Sequence, residues 1–427
     1  MKRIRFARHA KALVVEILEE RRLLASVSLG GGILKITGNN TSETVNIEQV
    51  SPGWVTVSGD GISGVKEFHN VLGLSVDMKG GDDEVNVGVG EDDGDVAVDF
   101  LLPTVINLGN GNDFADLYIN SPSSVTVDGG LQSGAGGQDD EIEIEGSLIN
   151  VLTINTWAGD DFLLVTESAI RTLVANLGVF SLARGQTDAD EVDINASAIG
   201  YATLLLGTAQ ASPQTPGDAT ALQLTPGFGN NVGVHSSLFT SLSIVGGNAV
   251  DNVVIDSDGV GLGDTLEGHL VTLAEDLQPF VDQRGGRAAL TSLLSGLDSF
   301  FTQLGGPDTF DPSQIDPSDL AGSIHDMFAE NPDLETLGDD TAIRSLSINT
   351  LGGADSVGLT DLEIGLLFVF LGDGTDTVEV DNVSARIAFF DGGNGFDTFV
   401  HFETSPNLGT RSLTIIHFEE TIFPNDE

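Results

Sequence analysis

The chain has 427 residues, enough to bury a sizeable core, and its 40% hydrophobic content argues against disorder. Its 65 acidic residues face 17 basic ones, a formal net charge of −48, which makes nucleic acid and anionic membrane surfaces poor partners. The 54 glycines exceed the usual share without a collagen triplet, there is no cysteine for a disulfide framework, and no apolar run is long enough to span a bilayer.

The first 25 residues, "MKRIRFARHAKALVVEILEERRLLA", are basic, then apolar over 12–18, then charged again. This layout reads as an export or sorting segment, or as an amphipathic helix capping the fold; Glu16 interrupts the apolar stretch of a secretory signal. The stretch "LEERRLLAS" at 18–26 resembles the LEPR-XLL motif of planctomycete surface and exported proteins, with Glu20 in place of its proline. That resemblance implies an extracellular, cell-surface or periplasmic location.

From residue 26 a Gly/Asp-rich turn followed by an alternating strand recurs along the chain. Aligned on the acidic residue before the strand, copies fall at Glu43, Asp83, Asp113, Asp140, Asp161, Asp190, Asp251, Asp355, Asp376 and Asp397. The intervals 140 to 161, 355 to 376 and 376 to 397 are each 21 residues, and others are longer, as inserted loops would make them. A fixed period near 21 predicts an all-β fold, a parallel β-helix or β-roll-like solenoid, with inward Val, Ile, Leu and Phe forming one core. Within a copy, "TVEVDN" and "SARIAFF" read as two short strands and "DGGNG" as the turn to the next coil. An antiparallel β-sandwich is the rival architecture.

Two regions break the rhythm. Residues 196–245 hold weaker copies, and residues 259–340 carry leucines at helical spacing, Leu266, Leu270, Leu273 and Leu277, then Leu290, Leu293, Leu294 and Leu297. The expected organisation is therefore 26–258 and 341–427 as two parts of one solenoid, with 259–340 as an α-helical insertion.

Glycine explains the corners, because it tolerates left-handed backbone. It does not explain an acid at nearly every corner. Stacked strands about 4.8 Å apart would set Asp355, Asp376 and Asp397 in a column of like charges, with roughly 3 kcal/mol of repulsion per neighbouring pair at an effective dielectric of ~20. Further acids stand beside them, Asp373 and Asp391 among them, with few cations near. Ca²⁺, which takes six to eight oxygens from carboxylates and turn carbonyls, would relieve that repulsion. Its candidate carboxylate ligands are Asp83, Asp113, Asp140, Asp161, Asp355, Asp373, Asp376, Asp391 and Asp397. The alternative is that the acids cap turns while facing solvent, most plainly at the degenerate copies Glu43 and Asp190.

"GGNGFDTFV" at 392–400 matches the hemolysin-type (RTX) nonapeptide G-G-x-G-x-D-x-U-x at every defined position, and "LGDGTDTVEV" nearly so. The resemblance implies Ca²⁺ between turns of a β-roll, with Asp376 and Asp397 as side-chain ligands. Gly372, Gly374, Gly393 and Gly395 would then be carbonyl or turn positions. The family repeats the motif in tandem, whereas this chain has one copy per coil.

Catalytic motifs are absent: there is no Gly-x-Ser-x-Gly, P-loop or His-Glu-x-x-His, and the seven histidines lack metal-ligand spacing. The expected function is an exported calcium-binding repeat protein with a structural or adhesive role, meeting surface polysaccharide or other surface proteins. The alternative is a polysaccharide-active enzyme on a β-helix, which would need a basic residue beside convergent carboxylates.

Overall fold

In a computed structural model, residues 26–88, 97–130, 138–157, 159–178, 189–206, 229–247, 250–257, 341–402 and 412–422 are described, with 319, 322, 323 and 326 between them. The N-terminal segment 1–25 lies outside the described residues, as does nearly all of the helical insertion expected at 259–340. Of that insertion, Gly322, Ser323 and Asp326 are helical, and the Ser323 N–H donates to the Asp319 carbonyl at 3.1 Å.

The described chain is all-β. From residue 73 onward strands pair in parallel with the equivalent strand one repeat later, in two ladders. The first runs through Glu84–Val87, Phe114–Leu117, Glu141–Glu145, Phe162–Thr166, Glu191–Asn195, Asn231–His235 and Asn252–Asp256. The second runs through Ile119–Asp128, Leu148–Asn155, Ala169–Asn176, Ala198–Leu205, Leu238–Val245 and Thr341–Asn349. Alternation decides which side chains point in: Ile142 and Ile144 of "EIEIE" are fully buried, as are Leu152 and Ile154 of the facing ladder. The inward rows of both ladders join in one hydrophobic core.

The register carries straight across inserted loops. Val245 pairs with Asn349, and Asn252 with Ser356, although about a hundred residues of sequence separate each pair. The closing of long loops costs only slowly growing entropy, which makes such insertions cheap.

Two expectations need correction. The two short strands expected after Asp376 are one strand, Thr377–Asp391, and Ser356–Phe370 of the preceding repeat is continuous in the same way. Each turns its corner at one left-handed residue, Asp361 (φ 54°) or Asn382 (φ 48°), so the hydrogen-bond ladder continues around the bend. The same left-handed step occurs at Glu167, Ala196 and Ser236 in earlier repeats. Second, the N-terminal portion adds antiparallel hairpins to the parallel pairing: Ile33–Thr37 and Thr44–Ser51 pair in parallel with later strands and antiparallel with their sequence neighbours. Ser26–Gly30 folds back on Ile33–Thr37 through Gly31 and Gly32, both at positive φ, the pair a tight two-residue hairpin turn requires. Thr44–Ser51, Trp54–Gly59 and Lys66–His69 form a meander. These hairpins occupy the first edge of the parallel stack.

Candidate functional site

The acidic residue before each strand is buried. Asp376 and Asp397 are fully inaccessible, and Asp83, Asp113, Asp140, Asp161, Asp251 and Asp355 are exposed by no more than 2%. Strand alternation accounts for this. Asp376 shares its parity with Val378 and Val380, and Asp397 with Phe399, so the carboxylate heads the inward row. The expectation of a solvent-facing cap at Glu43 and Asp190 is likewise corrected, because both are buried.

These residues are joined in one column by hydrogen bonds between repeats. The backbone N–H of each donates to the side-chain oxygen of its equivalent in the next. The Glu43 N–H meets Asp83 Oδ1 at 2.9 Å, Asp83 meets Asp113 at 2.7 Å, Asp113 meets Asp140 at 3.0 Å, and Asp140 meets Asp161 at 2.9 Å. The run continues through Asp190, Asn230, Asp251 and Asp355 at 2.8–3.4 Å. It ends with Asp355 to Asp376 (2.8 Å), Asp376 to Asp397 (3.0 Å) and Asp397 to Glu419 Oε2 (2.8 Å). Asn230 and Glu419 are members that the motif search missed. The available signals were the spacing of 21 from Asn230 to Asp251 and the turn "GFGNN" before it.

One oxygen of each carboxyl is thus used. Among the described residues, the other, Oδ2 of Asp83, Asp113, Asp140, Asp376 and Asp397, is buried with no hydrogen-bond partner. Burial, reinforced by neighbouring carboxylates and opposed by the backbone hydrogen bond, pushes Asp83 and Asp376 up to about 7. Burial first and then the Asp161 charge push Asp140 up to about 9. Burial raises Asp355 to about 7, and Asp113 and Asp251 to about 6. An ionised carboxylate held this way would be unpaired in a dry interior, so the geometry favours the neutral acid.

A second, exposed column stands one residue earlier. The Asn112 N–H donates to Asp82 Oδ1 (3.0 Å), Asp139 to Asn112 (3.3 Å), Asp160 to Asp139 (3.0 Å) and Ala189 to Asp160 (3.0 Å). Asp373 is exposed and accepts from Asn394 Nδ2 at 2.6 Å. Asp391, at the end of its strand, accepts the Gly393 N–H at 3.1 Å and meets His417 Nδ1 at 2.7 Å. At the opposite corner a serine column repeats the device. Ser147, Ser168 and Ser197 donate their N–H groups to the Oγ of Ser168, Ser197 and Ser237 at 3.0–3.1 Å.

The motif glycines serve close stacking. A Cβ on Gly374 would lie 1.7 Å from the Gly353 carbonyl oxygen, and one on Gly395 would lie 1.6 Å from that of Gly374. Gly372 and Gly393 face the same obstruction, each at 1.8 Å from the carbonyl oxygen of the repeat before. Gly374→Ala is accordingly expected to cost about 3 kcal/mol or more, read as a lower urea midpoint. An unchanged midpoint would mean that the repeats stack less closely.

The buried column does not fit a calcium shell. Ca²⁺ needs six to eight oxygens. Each motif aspartate has one oxygen bound to a backbone N–H, and the Oδ2 atoms named above are sealed from solvent. Among the described residues no group of three or more His, Asp or Glu is arranged to hold a metal ion. No helix among them is long and apolar enough to cross a membrane.

Compared with known proteins, the chain matches no family model, and no curated protein or solved structure matches it significantly.

Proposed function

We propose that this chain is an exported structural repeat protein, a parallel β-solenoid serving the cell surface or extracellular matrix as a scaffold. The observation that carries this reading is the hydrogen-bonded column from Glu43 to Glu419. The motif residues are spent on joining one repeat to the next, so the chemistry of the chain is cohesion along its length. Arg171, one of the two arginines on the second ladder, has no carboxylate on the strands beside it and so gives no support to a polysaccharide-active site. Arg171 Nε donates to Asn150 Oδ1 at 2.5 Å, and its strand and both flanking strands carry no Asp or Glu. Export rests on the N-terminal segment. The full chain is expected at the cell surface, whereas residues 26–427 alone should stay in the cytoplasm with the same melting temperature. Cytoplasmic retention of the full chain would contradict the reading.

Calcium is the second reading, and the exposed column favours it. Asp82 raises the proton affinity of Asp83 and Asp113, Asp139 that of Asp140, and Asp373 that of Asp376. A cation among the outer carboxylates would relieve all of these contacts. On this reading millimolar Ca²⁺ raises the melting temperature more than Mg²⁺ does, and Asp373→Asn reduces the gain. Equal melting in calcium and in chelator would remove calcium from the account.

A further inference from the structure

On the outward face of the first ladder a histidine stands between two carboxylates from neighbouring repeats. His235 ends the strand Asn231–His235. Its Nδ1 lies 2.7 Å from Oδ1 of Asp256 in the following repeat, and its Nε2 lies 3.8 Å from Oδ1 of Asp193 in the preceding one. Register explains the first contact, because His235 and Asp256 are paired laterally. The second is diagonal, and a glycine permits it. Asp193 pairs with Gly233, and the imidazole leans back over that bare backbone. A Cβ at Gly233 would come within 2.9 Å of His235 Nε2 and 3.1 Å of Asp193 Oδ1. Gly233 is in mid-strand without a positive φ, so close approach is what its missing side chain serves.

The proton count makes this arrangement informative. A carboxylate oxygen only accepts, so the contact with Asp256 takes the Nδ1–H. A neutral ring then turns its Nε2 lone pair toward Asp193 Oδ1, an atom sealed from solvent with no hydrogen-bond partner among the described residues. Two lone pairs that face each other repel, and 3.8 Å is too long for a hydrogen bond. A cation between them removes the conflict.

We propose that His235 Nε2 and Asp193 Oδ1 are the two protein donors of a divalent transition-metal site, with Zn²⁺ as the ion they suit. An imidazole beside a carboxylate selects such an ion over Ca²⁺, which takes oxygen alone. Zinc bonds to nitrogen and oxygen are about 2.0–2.2 Å, so two donors of a tetrahedron stand ~3.4 Å apart, and closure of the present gap by about 0.4 Å seats the ion. Asp256 supplies the hydrogen bond that holds a ligating imidazole in orientation and raises its basicity. The side chains of His235 and Asp193 are 32% and 35% exposed, which gives the ion a path from solvent and room for water to complete its shell.

The position of the site gives it a role. Equivalent column residues are 40 residues apart between Asp190 and Asn230 and 104 apart between Asp251 and Asp355, against 21 in the regular repeats. The two donors bridge the first of these interruptions, and Asp256 stands just before the second. A metal there staples consecutive coils where inserted sequence separates them.

The test is calorimetric titration of the full chain with ZnCl₂ after treatment with chelator, with Co²⁺ absorption as the check on coordination. Wild type should bind zinc at one more site than His235→Ala. Asp193→Asn removes a charged donor and Gly233→Ala fills the gap without removing one. Each should weaken that site at least about tenfold, and Asp256→Asn should weaken it about 10–100-fold. His417→Ala should leave it unchanged, although His417 also meets a carboxylate, Asp391, at 2.7 Å. An equal concentration of calcium should not displace the zinc. Circular dichroism checks that each variant is folded. Zinc binding that is equal in wild type and His235→Ala overturns the proposal, as does a site that Asp193→Asn and Gly233→Ala both leave intact. Either result leaves the scaffold and calcium readings standing.

Discussion

Raising the pH from 4 to 10 is expected to lower the melting temperature of this protein steeply, with the loss concentrated between pH 6 and 9. The buried column sets the sign. Six of its aspartates have a folded proton affinity above that of an unfolded aspartate: about 6 for Asp113 and Asp251, about 7 for Asp83, Asp355 and Asp376, and about 9 for Asp140. The native state therefore holds more protons than the unfolded chain above pH ~4. The stabilisation is fully present below that value and is lost as pH rises through the folded values. One group shifted from ~4 to ~7 contributes roughly 4 kcal/mol, and two or three match the whole stability of a typical domain at ~5–15 kcal/mol. A melting temperature that rises from pH 4 to 8 would contradict the neutral column.

The column is expected to respond differently to two substitutions at Asp140. Asp140→Asn keeps an acceptor for the Asp113 N–H and removes the ionisable group. The chain already uses this solution at Asn230, which sits in the column between Asp190 and Asp251. That variant should match wild type near pH 4 and exceed it by several kcal/mol at pH 9, more than a group shifted only to ~7 would give. Asp140→Leu removes the acceptor and leaves the Asp113 N–H unsatisfied in the core, beside a glycine, Gly129, that leaves no room for extra bulk. It should cost about 3 kcal/mol or more at every pH. Urea midpoints at the two pH values separate these outcomes. Equal effects of Asn and Leu would show that the hydrogen bond between repeats contributes nothing.

The ladders were legible because strand alternation and a 21-residue interval survive in the sequence at Asp140, Asp161, Asp355, Asp376 and Asp397. The N-terminal hairpins were signalled too, by Gly31-Gly32 and Pro52-Gly53, but a single period was imposed over turn chemistry that favours reversal. The alternative of solvent-facing acids at Glu43 and Asp190 fails against the burial of both. Charge alone suggests the surface, yet the parity of Asp376 with Val378 and Val380 already places it inside. Asn230 escaped because the column requires an acceptor oxygen rather than an acid, and Glu419 because no Gly/Asp-rich turn precedes it in "TIIHFEE". The serine column at the other corner carries no charge or glycine signature, and only the pairing of strands brings its members together.

The most direct measurement is a carbon-13 NMR titration of the aspartate carboxyl carbons in the folded protein. The account predicts a set of carboxyls, Asp140 foremost and Asp83, Asp355 and Asp376 after it, still protonated at pH 6 while the exposed carboxyls have ionised. A spectrum in which every aspartate has titrated by pH 5 would contradict it, because ionised acids could not occupy a dry column with one oxygen unpaired.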